Sequence, residues 1–384
     1  MQNNGYNTYL VGKWHLGHRH GYLPQNFGFN KFYGIPYSND MRVDPEMEVS
    51  DSVVFREGMT LAKLRGKGNK VQGWVPLILD DAIIEYPVDQ TTLTQRYISK
   101  SIEFIKQNKE KPFFLFISHH LPHIPIFVSK DFQKRYDDPY ANAVCEIDYS
   151  VGKILDTLKK HSLEKNTLVI FSSDNGPARA ARPTELQLMH DTATGAGFGI
   201  AAAKGKTGGR KGYKASLFEG GVGVPFLVRW PGKVPVGKVD RSTMISAVDL
   251  LPTFCELAGA RMPAGYQPDG TSQVPALLGK PAPTRTKPLF WKMQATWPPR
   301  ADRPDHWVSW AILDQKWKLV TNGNGSYFEL YDMVADPFEK TDLKEAHPEL
   351  VKPLLDQLQE WKKTLPDKPV GKVFSSLRKD SSSG

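Results

Sequence analysis

Four short segments of this sequence carry side chains able to hold an anion, a proton or a metal. In Gly12-Lys13-Trp14-His15-Leu16-Gly17, Lys13 and His15 stand two residues apart on one loop. The lysine offers fixed positive charge and the histidine a proton that moves near neutral pH. An inert surface loop has the same composition. From 118 to 125 the chain reads Ser-His-His-Leu-Pro-His-Ile-Pro. His119, His120 and His123 are enough imidazoles for zinc, but no Cys partner and no H-E-x-x-H helix accompanies them. One histidine donating to an anion, or three structural histidines, fits the same residues. Asp174-Asn175-Gly176 offers hard oxygens suited to Ca²⁺ or Mg²⁺, two of the roughly six to eight that calcium takes, and it is also favourable turn chemistry. In Lys214-Ala215-Ser216-Leu217-Phe218-Glu219-Gly220-Gly221, the lysine can close over an anion and the paired glycines allow close backbone approach.

The elements that must position these residues follow from periodicity. Residues 6–13 read as a strand, and Asn3-Asn4-Gly5 before them as the C-cap of a helix whose body would precede Met1. Apolar residues at helical spacing predict helices over 91–108 and 141–160. The apolar run 113–117 suits a strand buried on both faces of a sheet, and 167–171 is a second such strand. This alternation predicts an α/β sheet with helices on both faces, its polar residues gathered past the strand ends. Further strands are expected at 224–228, 307–313 and 316–321, and helices at 247–258 and 347–364. The segment 183–213, rich in Gly, Ala, Lys and Thr, reads as a long mobile loop. The expected organisation is an α/β domain over 1–284, a small α+β subdomain over 285–371 and a disordered tail over 372–384.

The chain has 384 residues, 40% hydrophobic and 11% aromatic, enough for a sizeable core and unlike a disordered composition. Its net charge of +9 points to an anionic substrate or to an ordinary basic surface, since no nucleic-acid motif is present. Cys145 and Cys255 form neither a C-x-x-C pair nor zinc spacing and read as buried thiols. There is no run of 18 apolar residues, so no membrane-spanning helix is expected. Residues 1–5 show neither the basic region nor the apolar core of a signal peptide.

The segments also occur in a telling order. G-K-W-H-L-G, G-I-P-Y-S-N-D, H-x-P after an apolar strand, S-D-N-G-P, K-x-x-x-F-E-G-G, V-D-L-L-P-T and L-Y-D-x-x-x-D-P-x-E-K follow one another from residue 5 to about 345. In this the chain resembles the formylglycine-dependent (type I) sulfatases, most closely the arylsulfatase A-like subgroup. The resemblance implies an alkaline-phosphatase-like fold and hydrolysis of a sulfate ester on a sulfated small molecule or glycan, with one calcium ion as cofactor. It implies that Lys13 and Lys214 bind the sulfate, Ser38 contacts substrate, His15 assists the covalent step and His123 donates to the leaving oxygen. Asp174 and Asn175 would be half of the calcium site. An exported parent enzyme, in the periplasm, the lysosome or outside the cell, is implied too.

The chain departs from the family pattern at one point. The family's nucleophile arises from Cys or Ser in C/S-x-P-x-R, yet Cys145 is followed by Glu-Ile-Asp and Cys255 by Glu-Leu-Ala, and no S-x-P-x-R occurs. The family's paired N-terminal metal aspartates are missing as well. The resemblance therefore implies an upstream segment that this chain lacks, and a chain inactive by itself. Two further readings stay open: an anion-binding remnant without catalysis, and a phosphatase or phosphodiesterase of the alkaline phosphatase superfamily. That superfamily's zinc pairs are held by Asp and His, whereas the motif here is Asp-Asn. The segments 42–90 and 183–213 are expected to shape substrate choice.

Overall fold

Strand β1 (Asn7–Lys13) buries five of its seven residues, because its Tyr, Leu and Val side chains meet apolar cover on both faces of a sheet. In this computed structural model, which describes residues 1–66, 74–178, 205–293 and 304–366, the chain forms two compact units. The first holds residues 1–164. Its six-stranded sheet runs β3-β5-β4-β2-β1-β6. β1 pairs in parallel with β2 (Lys31–Ile35) and β6 (Phe113–Ser118), and β4 (Leu77–Leu79) runs antiparallel to β2 and to β5 (Ala82–Tyr86). β3 (Val49–Phe55) is parallel to β5. The sheet is thus mixed.

Alternation along β1 sends side chains to opposite faces. Tyr9 and Val11 pack with Tyr33, Ile35 and, from helix α2 (Leu93–Gln107), Leu93, Tyr97 and Phe104. Leu10 packs on the other side with Phe32, Ile78, Tyr86, Trp14 and Leu64 of the one-turn helix α1 (Leu61–Arg65). Each such fully buried side chain contributes about 1.5–3 kcal/mol. Helix α3 (Pro139–Lys160) starts at an Asp138 cap, whose carboxylate accepts from the Tyr140 N–H at 2.9 Å, with Pro139 in the first turn.

The second unit holds 165–178 and the described residues from 205 to 366. β7 (Val169–Ser172) pairs antiparallel with β8 (Phe226–Arg229). Four antiparallel strands follow: β9 (Leu289–Lys292), β10 (Trp310–Asp314), β11 (Trp317–Thr321) and β12 (Phe328–Asp332), ordered β12-β11-β10-β9. One face of this sheet packs Ala311, Val320 and Tyr331 against Phe218 and Trp307. The other packs Ile312, Leu319 and Leu330 against Leu354 and Leu358 of the C-terminal helix (Pro348–Lys363).

The expected fold class is the one found: a mixed sheet with helices, plus a C-terminal antiparallel subdomain. One detail differs. The strand expected at 167–171 is β7, which pairs with β8 and joins neither β1 nor β6. Within the second unit, Leu217 and Phe218 share a core with Leu289, Trp307 and Val320. The expected mobile loop falls outside the described residues over 183–204, as does the expected tail over 372–384. Among the described residues no helix is long and apolar enough to cross a membrane.

Candidate active site

Three parallel strands of the first unit end together. Lys13 of β1 lies opposite Ile35 of β2, and Gly12 lies opposite Ser118 of β6. The loops leaving these strands carry Lys13 and His15, Ser38, and His123, so the sequence-named residues of this unit gather at the carboxyl edge of its sheet, where open α/β sheets place their sites. Gly12 is what lets the strands close up. It has φ +119, and a Cβ there would sit 1.9 Å from the Ser118 carbonyl oxygen.

Backbone bonds set the first loop. The Trp14 and His15 N–H groups donate to the carbonyls of Ile35 (3.1 Å) and Pro36 (2.9 Å), and the buried Trp14 indole donates to the Tyr22 carbonyl at 2.7 Å. His15 is exposed and holds φ +66, a left-handed conformation uncommon outside glycine. Ser38 is buried, and its hydroxyl donates to Asp40 Oδ1 at 2.6 Å. It therefore offers lone pairs outward, and contact with an anion requires the hydroxyl to rotate. The fully buried Asn39 next to it donates to Gln90 Oε1 at 2.9 Å and to the Pro125 carbonyl at 2.7 Å. That second bond ties the Ser38 loop to the His123 loop.

The three histidines have separate environments. His119 Nε2 lies 3.2 Å from Ser150 Oγ, and burial pushes its pKa down to about 4. His120 is buried edge-on to Tyr97, and neither ring nitrogen has a hydrogen-bond partner among the described residues. Burial, and then the charges of His119, Lys13 and His123, push it down to about 3. Both rings are neutral at pH 7. His123 is half-buried, and its Nδ1 donates to the Ile124 carbonyl at 2.6 Å. A proton on its Nε2 therefore belongs to the imidazolium form. Sequence reasoning missed three residues here. His18 and the buried Asp44 pair at 2.7 Å, fastening the loop after β1, and Asn39 bridges two loops. No spacing signals either, since the partners are 26 and 86 residues apart.

In the second unit, β7 ends at Ser172 and the turn Asp174-Asn175-Gly176 follows. The Gly176 N–H donates to the Gly221 carbonyl and the Lys214 N–H to the Pro177 carbonyl, both at 2.8 Å. A Cβ on Gly176 would lie 1.9 Å from the Gly220 carbonyl oxygen, so only glycine fits there. The turn and the Lys214 loop are thus zipped together. Asp174 is exposed; Asn175 is half-buried and its amide nitrogen donates to the Gly176 carbonyl at 2.9 Å, which leaves its side-chain oxygen as the available acceptor. One carboxylate and one amide oxygen fit calcium in kind but fall short of its coordination number. Among the described residues no group of three or more His, Cys, Asp or Glu is placed to hold a metal. The histidines at 119, 120 and 123 accordingly form no such cluster.

A family model described as Sulfatase matches residues 1–260. The chain belongs to the type I sulfatase family. A second model, the C-terminal part of N-sulphoglucosamine sulphohydrolase, matches residues 211–364 of the chain. It is similar to arylsulfatase G of Mus musculus, 33% identical over 73% of this chain and 52% of the relative. It is also similar to N-acetylgalactosamine-6-sulfatase of Canis lupus familiaris, 30% identical over 76% and 49%. The chain spans about half the length of these curated relatives. Among solved structures it resembles Ps i-CgsB in complex with k-i-k-neocarrahexaose, with a TM-score of 0.65, 25% identity and coverage of 94% of this chain and 72% of that one. The phosphonate monoester hydrolase of Agrobacterium radiobacter shares the fold at a TM-score of 0.52 and 18% identity, over 94% and 79% of the two chains.

Proposed function

We propose that this chain is the anion-binding and leaving-group portion of a calcium-dependent sulfate-ester hydrolase acting on a sulfated sugar. The observation that carries this reading is the convergence of Lys13, the Ser38 loop and His123 on the ends of three adjacent parallel strands, with Asn39 bonded to the Pro125 carbonyl at 2.7 Å. Cleaving a sulfate monoester builds negative charge on the sulfuryl oxygens and on the departing oxygen. Lys13 supplies fixed positive charge for the first, and the family resemblance assigns Lys214, in the second unit, the same kind of role. His123, protonated at Nε2, supplies the proton for the second. The exposed His15 assists at the nucleophile, and Ser38 contacts the substrate once its hydroxyl turns from Asp40. Asp174 and Asn175 would bind calcium, which when present supplies further positive charge. The substrate class is supported by the sugar-bound neighbour.

The family's nucleophile motif C/S-x-P-x-R does not occur in this sequence, so the chain by itself is expected to bind and not to turn over. Purified protein mixed with p-nitrophenyl sulfate should bind it competitively with inorganic sulfate and release no p-nitrophenol at enzymatic rates. Lys13→Ala and Lys214→Ala should each weaken binding about tenfold, the scale of one lost charge-assisted contact of ~1.4 kcal/mol. Affinity unchanged from the wild type in both variants, or steady turnover abolished by His15→Ala, would refute this assignment.

A further inference from the structure

Two charged residues of the second unit have no part in the function proposed above, yet they sit where charge is costly. Lys318 of β11 is 0% exposed. Its ammonium lies 2.7 Å from Glu219 Oε1 and 2.8 Å from Glu339 Oε1. Burial alone would discharge such a lysine, but the two carboxylates hold its pKa above the ordinary value. Glu339 is itself buried, and its second oxygen accepts from the Glu219 backbone N–H at 2.6 Å. Glu219 is therefore gripped twice, by side chain and by backbone.

Glu219 opens the single helical turn Glu219–Val222. The next two residues make the close contacts of this region. The Gly220 N–H donates to the Lys211 carbonyl at 2.6 Å, and the Gly221 carbonyl receives the Gly176 N–H. Lys211 forms a second fastening, its ammonium 2.6 Å from Glu329 and 2.9 Å from the Tyr331 hydroxyl, both on β12. The loop 211–221 is thus anchored at both ends to the C-terminal sheet, and Lys214 lies between the anchors.

We propose that Lys318 is a positioning residue: through Glu219 its buried ammonium fixes the Gly220-Gly221 turn against Gly176 and so sets the placement of Lys214 and of the Asp174-Asn175 pair. Apolar packing around Phe218 holds the loop to the sheet but is non-directional. The ion triad adds direction, since an ammonium between two carboxylates has few satisfactory arrangements. That the positioned residues serve sulfate and calcium rests on the function proposed above; the positioning itself does not.

The test uses the full chain. Lys318→Met leaves the buried Glu339 carboxylate and the half-buried Glu219 carboxylate uncompensated and is expected to destabilise the unit strongly. The triple variant Lys318→Met/Glu219→Gln/Glu339→Gln carries no charge in the pocket and is expected to fold, because neutral groups remove the desolvation cost. Amide hydrogen exchange is then read in the triple variant. The Gly176 and Lys214 amides should exchange about tenfold faster than in the wild type, while the amides of β10–β12 keep their protection. Titration with calcium alone should show correspondingly weaker binding. Unchanged exchange at Gly176 and Lys214 in the folded variant overturns the proposal. Should the wild type bind no calcium, the metal assignment fails, and the exchange comparison still decides whether Lys318 positions the loop.

Discussion

His119 and His120 show how a histidine beside a candidate site differs from one within it. Both rings are held neutral by burial, at pKa values near 4 and 3, and His120 is faced by Lys13, His119, His123 and the Tyr97 ring. The unfolded chain takes up protons at each near 6.5. Between about pH 6.5 and 4 the folded state therefore binds fewer protons than the unfolded one. Acid favours unfolding across that window, and the stability present above pH 6.5 is lost as pH falls, by at most about 1.4 kcal/mol per pH unit for each ring. His120→Phe removes one titrating ring and no hydrogen bond made to a described residue. Urea unfolding midpoints compared at pH 7 and pH 4.5 should show a smaller acid loss in this variant than in the wild type. An identical loss in both would mean that His120 is not buried as a neutral ring.

At the scale of elements, the Asp of V-D-L-L-P-T turns out to be structural. Asp249 is fully buried at the start of helix Leu250–Leu257, where it completes a capping box with Ser246 and receives the Thr271 N–H at 2.8 Å. Arg285 meets it with Nη1 at 3.1 Å and Nη2 at 2.5 Å. Removing the arginine leaves an unpaired buried carboxylate, so Arg285→Ala should cost about 3–5 kcal/mol in denaturant unfolding. A loss below about 1 kcal/mol would show that the pair is dispensable. Periodicity placed β1, α2, α3, β6 and the C-terminal helix within about two residues of their observed ends, because each couples a long apolar pattern to a Pro, Asp or Gly boundary. The strands β3, β4 and β5 in the 42–90 segment escaped it. β4 and β5 are short, β3 is interrupted by Ser50, Asp51 and Ser52, and nothing local signals pairing with β2 from the far side. Motif order identified the residues at the strand ends. The Asn39 bridge, the His18–Asp44 pair and the Lys318 triad stayed hidden because their partners are brought together only by the fold.

At the scale of the whole molecule, the excess of nine positive charges has no nucleic-acid motif to serve. Its physical effect is a long-range field that raises the local concentration of anions and accelerates their encounter. That field is screened over about 8 Å at physiological ionic strength, while contacts inside a partly buried site are screened less. The two contributions can therefore be separated with a sulfated ligand. A multiply sulfated oligosaccharide should lose affinity for this chain steeply between low and high salt, and a monosulfated sugar should lose much less. The desulfated oligosaccharide should not bind at all. Lys13→Ala should lower affinity for both sulfated ligands at every salt concentration while leaving the steepness of the salt dependence almost unchanged, since it removes one charge of nine and one site contact. Calorimetric titrations at 0.05–0.5 M salt, a range over which the screening length falls to about a third, measure both quantities. If the desulfated sugar bound equally well, or if Lys13→Ala abolished the salt dependence and left high-salt affinity intact, the lysine would belong to the general field and not to a sulfate site.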